Sequence, residues 1–308
     1  MTRRMTVAGW VVAATLAAQW LIVAAQSPSQ RTFTTPEDAV KALIAAAAPG
    51  KTADLLAIFG SDGTDLIASS DEATSRQNRQ TFRVAARESW SLADEGTDRK
   101  VLVIGGEKWP FPVPLVKGAN GWKFDTAAGK DEVLARRIGR NELAAIDTSR
   151  TYVVAQQQYA REGRDGKSAG LFATKFTSDP GKQNGLYWPS AGREPRSPLG
   201  DLVAQAAQDG QKLGAGGQPS PFHGYYFKIV TGQGAAAPGG AKSYLVKGEL
   251  SGGFALVAWP SQYEATGVMT FIVNQDGVVH EKDLGAKTGT TAAAITRYNP
   301  DASWRRVE

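Results

Sequence analysis

The 308-residue chain contains no cysteine. That absence excludes disulfides, thiol catalysis, cysteine-ligated metals and attachment as a lipoprotein. Histidine is nearly absent as well, with His223 and His280 the only two. A zinc site would need both together with a carboxylate, and a Ser-His-Asp triad would need one, but neither histidine stands in the spacing of such a motif. No long apolar run follows residue 25. There is also no basic cluster: 35 lysines and arginines are interspersed with 30 acids, for a formal charge of +5. Such a balance gives no electrostatic footprint for nucleic acid, which is not expected as a partner; a pI near 9.3 allows only a weak attraction to anionic surfaces.

What is present begins with MTRRM, two arginines ahead of the apolar run VAGWVVAATLAAQWLIVAA from Val7 to Ala25. Val23, Ala24 and Ala25 offer small residues for a signal-peptidase cut before Gln26, so residues 1–25 read as a secretory signal. The same run is just long enough, at ~1.5 Å per residue, to cross a ~30 Å hydrocarbon core if it stays uncleaved. The expected location is therefore periplasmic or secreted, or anchored by residues 7–25 with the rest facing the periplasm. A membrane enters only through that segment.

After a polar tether at 26–32, Thr35-Pro36-Glu37-Asp38 spells a helix start: an N-cap threonine, proline in the first turn and acids at the positive end of the dipole. This helix is expected to run to Ala48 and stop at Pro49-Gly50. A second is expected at about 52–59 and a third at about 73–90, with Phe82, Ala85, Ala86 and Trp90 on one face. The strand patterns KVLVIG, FPVPLVKG and GWKFD follow, the last two joined by a turn at Ala119-Asn120-Gly121. Residues 33–126 thus read as an N-terminal α+β domain. Residues 127–308 read as a second domain, with a long helix over 131–161 as its spine. Loops rich in glycine and proline carry the chain to about 220, with a short helix near 199–208. Strands YYFKIV, SYLVKGEL, GFALVAWP, GVMTFIVN and GVVHEKDL come last, with a hairpin at Asn274-Gln275-Asp276-Gly277. The fold class is α+β: helices with a small antiparallel sheet, then a long helix packed on a C-terminal antiparallel sheet.

The segments FPVPL, GWKFDTAAGK, RRIGRNEL, AQQQYA, GLYWP, SPLGDL, FHGYYFKI, GGFALVAWP and GVMTFIVNQDGVVHEKDLG occur here in one order. In that combination the chain resembles, over nearly its whole length after residue 25, an exported bacterial family catalogued as domain of unknown function 2950. The resemblance implies export and a fold unit, and no reaction. The C-terminal half, with NELAAIDTSRTYVVAQQQYA, an irregular region and a sheet ending in FIVNQDGVV, is also similar to pilin and pseudopilin proteins. It departs from them in that a whole domain precedes the long helix, whereas a pilin helix begins as the membrane segment.

Few motifs carry chemistry. Gly166-Lys167-Ser168-Ala169-Gly170 fits G-x-S-x-G, but a nucleophile elbow needs a strand before it, and here stands AQQQYAREGRDG, the end of a helix. The Gly-Lys-Thr at 50–52 and the Gly-Lys-Ser at 166–168 lack the first glycine of a phosphate loop. His280 alternates along a terminal strand. Paired carboxylates for glycoside hydrolysis, which would face each other ~5–9 Å apart, are not assignable among 30 acids by sequence alone. No catalytic residue, metal or cofactor is assigned.

Arg136, Arg137, Arg140, Asn141 and Glu142 form the densest polar cluster of the long helix and are expected at the joint between the domains. Tyr187 and Trp188, between Gly185 and Pro189, are either loop anchors or, with His223 and Tyr225, the lining of a ligand groove. The functional expectation is a non-catalytic envelope protein in recognition or assembly, whose partner is an envelope polymer or a protein. The alternatives are a cell-wall polymer hydrolase using carboxylates and a glycan- or peptidoglycan-binding module.

Overall fold

The structure is a computed structural model that describes residues 30–67, 72–190, 196–208 and 221–308. The expected signal or anchor at 1–25 and most of the tether lie outside the described residues. The chain divides into two compact units at Ala127–Ala128.

In the first unit, α1 (Pro36–Ala46) starts where Thr35 Oγ1 accepts from the Asp38 amide at 3.1 Å. It buries Ala39, Val40, Leu43 and Ala46, one apolar stripe at helical spacing. Helix α2 (Thr52–Phe59) ends at Gly60, whose φ of 77° a side chain rarely tolerates; α3 (Thr64–Ile67) and α4 (Glu72–Glu88) follow. The strands are β1 (Trp90–Asp94), β2 (Arg99–Ile104), β3 (Trp109–Pro110), β4 (Leu115–Gly118) and β5 (Gly121–Phe124). They form an antiparallel sheet in the order β1-β2-β4-β5, with β3 on β2. Leu102, Ile104, Leu115 and Phe124 meet Val40, Leu43, Ile58 and Phe59 in one core.

One expectation needs correction here. Trp90 opens β1 instead of closing α4, because Trp90 pairs with Ile104 and the chain has already turned at Ser89. The tether ends in hydrogen bonds. Gln30 Nε2 donates to Ile58 O and to Phe124 O, satisfying a carbonyl at the C-terminus of α2.

The second unit is built on α5 (Thr126–Arg161), 36 residues long and starting five positions before Asp131. Then come α6 (Gly200–Gln208), β6 (Tyr225–Val230), β7 (Gly232–Gln233), β8 (Lys242–Ser243), β9 (Leu245–Val246), β10 (Glu249–Leu250), β11 (Ala255–Pro260), β12 (Met269–Asn274), β13 (His280–Asp283), α7 (Thr288–Ala293) and β14 (Arg305–Arg306). The main sheet is antiparallel in the order β14-β13-β12-β11-β6. Ala145, Ile146, Tyr152, Val153, Ala155 and Tyr159 of α5 share a core with Leu256, Val257, Phe271 and Val273 of the sheet. β11 reads ALVAWP, apolar without alternation, because successive residues are buried on both faces and α7 also packs on it.

SYLVKGEL is not one strand. Lys247 and Gly248 both take positive φ, 52° and 83°, which folds it into the two-residue hairpin β9-β10. Otherwise the architecture is the α+β class read from the sequence: helices and a small antiparallel sheet, a long helix, and a C-terminal antiparallel sheet. Among the described residues no helix is long and apolar enough to cross a membrane.

Candidate functional site

At the C-terminal end of α5 the chain turns back as an irregular strap over residues 163–190. Gln156, wholly buried, donates from Nε2 to Ala173 O at 2.8 Å and accepts the Ala173 amide on Oε1 at 2.8 Å, in the way a neighbouring strand would. The same amide nitrogen donates to Tyr152 Oη at 3.0 Å, and Tyr152 Oη donates to Ala255 O. Within the strap, the Tyr187 amide donates to Phe176 O and the Ser178 amide to Tyr187 O. Gly185 is required there, since a Cβ would lie 2.7 Å from Ser178 N. Asn184 bonds Asp179 through both amide atoms, and the hydrogen bond from Lys175 holds the exposed Asp179 carboxyl below its ordinary value.

This answers where Tyr187 and Trp188 sit. Trp188 is 4% exposed, and Tyr187 packs half-buried beside it. The Arg164 guanidinium stacks over the Trp188 ring at 4.9 Å and the Tyr159 ring at 5.5 Å, with 6% of its side chain exposed. Its ends donate to Gln183 Oε1 and Glu162 Oε2, and Tyr159 Oη donates to Gln183 O. Trp188, with Tyr159, is therefore the floor beneath a buried arginine.

His223 and Tyr225 lie elsewhere, beside the first half of α5. Asn141 Nδ2 donates to Thr266 O at 2.8 Å, and Glu142 Oε1 accepts the amides of Val268 at 2.9 Å and Met269 at 3.0 Å. Tyr225 is wholly buried, donates to Met269 O, and lies against Gly267. Burial, and then the Glu142 carboxylate, push its phenol far above the ordinary value. His223 takes φ +46° with its ring against Phe222, and Gly224 beside it lies so close to Asn141 that a Cβ would approach Nδ2 to 2.7 Å.

Two observations follow. Asn141 and Tyr159 are ~27 Å apart along α5 at ~1.5 Å per residue, so Tyr187 and Trp188 do not share a groove with His223 and Tyr225. The polar cluster also splits by helix face. Asn141 and Glu142 clamp a loop of their own unit, Arg136 is held one turn back by Glu132 Oε1 at 2.7 Å, and Arg137 and Arg140 are exposed.

A third place is a concavity of about 550 Å³ where Arg150 of α5 meets the 276–279 turn and Arg306, Val307 and Glu308. Two guanidinium groups and two carboxylates line it, Asp276 being tied to Asn274 Nδ2 at 2.9 Å. Nearby His280 Nδ1 stands 3.3 Å from Tyr298 Oη. Burial, with the Arg306 charge, lowers the imidazole, and burial with the Asp276 charge raises Tyr298 to about 12. Ser168 of the G-x-S-x-G segment sits in an exposed turn after α5, with Lys167 paired to Glu249 at 3.3 Å. Among the described residues no three histidines, aspartates or glutamates gather as metal ligands.

Gln156 and Arg164 were the residues that sequence reading passed over. Gln156 stands one turn from Tyr152 on the apolar stripe of AQQQYA, the one signal that could have marked it.

No curated protein and no solved structure matches the chain, and so none of the pilin type does. A family model described as protein of unknown function (DUF2950) matches residues 30–307, and the chain belongs to that family.

Proposed function

We propose that this is an exported protein of the bacterial cell envelope with a non-catalytic role, in recognition or in support of an assembly. The signal-like residues 1–25 support export. The non-catalytic reading rests chiefly on one observation: four polar side chains of the second unit, buried or half-buried, are engaged in holding loops. Gln156 holds Ala173, Glu142 and Asn141 hold the 266–269 loop, and Gln233 Nε2 donates to Pro238 O and Gly240 O while its Oε1 accepts from Tyr244. Three of these four side chains are carboxamides, which serve as neither general acid nor general base, and the one carboxylate, Glu142, accepts two backbone amides on Oε1. The second reading, a glycan- or peptidoglycan-binding module, is favoured by the concavity beside Arg150 and Arg306, whose paired charges suit a polar ligand.

The test is expression of the full chain in a bacterial host, followed by fractionation and intact-mass measurement. A species outside the cytoplasm beginning at or near Gln26 is expected; an intact Met1 terminus in the membrane fraction would make the protein anchored. A soluble cytoplasmic pool with Met1 retained would refute export.

A further inference from the structure

Four side chains make an outward-facing stripe along the middle of α5: Leu143, Asp147, Arg150 and Val154. They recur at intervals of four, three and four residues, so they lie within ~60° of one another around the helix. All four are exposed, Leu143 at 64% and Val154 at 63%, with the Asp147 and Arg150 side chains at 77% and 50%. Single exposed apolar residues are ordinary, but here two bracket an opposite-charge pair on one face. The stripe also reads the same in both directions about a point between Thr148 and Ser149 as apolar, charged, charged, apolar. Turned end for end on a second copy, Leu143 meets Val154, Asp147 meets Arg150, and Arg150 meets Asp147.

We propose that this stripe is a two-fold contact between two copies of the chain, with their α5 helices antiparallel and crossing at Thr148–Ser149. A two-fold interface requires that residue i touch j while j touches i, and the stripe satisfies this in both its apolar and its charged pairs. A parallel pairing would place Asp147 on Asp147 and Arg150 on Arg150, which like-charge repulsion opposes. Within one copy Arg150 Nη1 stands 3.8 Å from Asp147 Oδ1, a loose exposed pair that gives up little when it is exchanged for two intermolecular ones. The next rung outward, Arg140 against Gln157, is polar and neutral to the pairing, and both residues are exposed. The rung beyond sets Arg136 against Arg161, so the contact ends there. Arg150 also borders the concavity at the 276–279 turn, so that concavity opens beside the contact. A single helix pair of about four turns falls below the ~1,200 Å² of standard interfaces, so the dimer is a weak, reversible one. The inference gives the proposed assembly role its partner, a second copy, and it stands or falls apart from export.

Because the chain has no cysteine, introduced thiols report this geometry without background. Leu143→Cys and Val154→Cys are prepared as separate full-chain variants, then oxidised alone and mixed. In the antiparallel register positions 143 and 154 face each other, whereas 143 lies ~17 Å from its own symmetry mate, beyond the ~7 Å Cα separation a disulfide spans. Cross-linked heterodimers from the mixture, with each single variant staying monomeric, are expected. No cross-link in the mixture, or equal homodimer from the single variants, overturns the proposal. Sedimentation over a concentration series supplies the second readout. Arg150→Asp sets carboxylates opposite one another and should weaken association by about tenfold or more, and adding Asp147→Arg should restore it. Wild-type chain that remains monomeric throughout, or an Arg150→Asp chain that associates as well as wild type, also overturns it. Export can fail in the fractionation experiment with the dimer intact, and the reverse, so the two failures are distinguishable.

Discussion

Two glycines of the second unit are opposites in what surrounds them. At Gly267 a Cβ would stand 2.1 Å from Tyr225 Oη, and that hydroxyl cannot retreat because it donates to Met269 O. At Gly139, inside α5, a Cβ would meet nothing within 4 Å. Gly267→Ala is therefore expected to destabilise by about 1–3 kcal/mol through overpacking. Gly139→Ala should stabilise by about 0.5–1 kcal/mol, the helix-propensity gain alone; denaturant titration of both variants checks the pair. The buried phenols give a pH prediction. Tyr225 and Tyr298 are raised by burial, so between the ordinary value near 10 and the folded value the native state holds protons that the unfolded chain has lost. Stability is full below pH ~10 and falls as pH rises toward ~12. Melting curves across that range, with tyrosinate absorbance recorded in parallel, should show the phenols ionising together with unfolding instead of ahead of it. The close approach at Gly224 was legible in FHGYYF, where glycine stands among aromatics. The caged Arg164 was not, because REGRDG reads as a frayed, solvated helix end and the Trp188 ring reaches it only through the returning strap.

At the scale of elements, α5 was visible because its apolar residues recur near helical spacing for more than seven turns. Its start was placed at Asp131 instead of Thr126 because the apolar residues at helical spacing begin only at Val133, while Thr126 Oγ1 donates to Phe59 O, a contact 67 residues away. The strap after α5 was legible only as a glycine-rich loop. Its order comes from side chains replacing a sheet ladder, above all Gln156 on Ala173. Gln156→Leu keeps the volume and removes both bonds, leaving a buried N–H and C=O unpaired at about 1–3 kcal/mol each. The expected result is a lowered melting temperature together with faster amide exchange across residues 171–178; protection unchanged there would mean the strap is held by its apolar contacts alone. SYLVKGEL was misjudged as one strand because Lys247 gives no hint that it will take positive φ, although Gly248 beside it does.

For the whole molecule, the α+β class followed from pattern and turn chemistry, and the family membership from the order of many short segments. Helix α7 and β14 escaped notice because KTGTTAAA and WRR are too short for periodicity to distinguish them from coil. The sequence left two readings of Tyr187 and Trp188 open, loop anchors or a groove shared with His223 and Tyr225. Tyr187 and His223 look alike in sequence, and only the length of α5 separates them. The reading of the second unit as a scaffold whose aromatic and polar groups hold its own loops meets its most direct test in Trp188→Ala, measured by thermal unfolding alongside retention on peptidoglycan. With Arg164 left over an empty floor, a loss of about 3–5 kcal/mol is expected, with earlier melting whatever polymer is present. An unchanged melting temperature with retention abolished would contradict the scaffold reading and make Trp188 a ligand-binding residue.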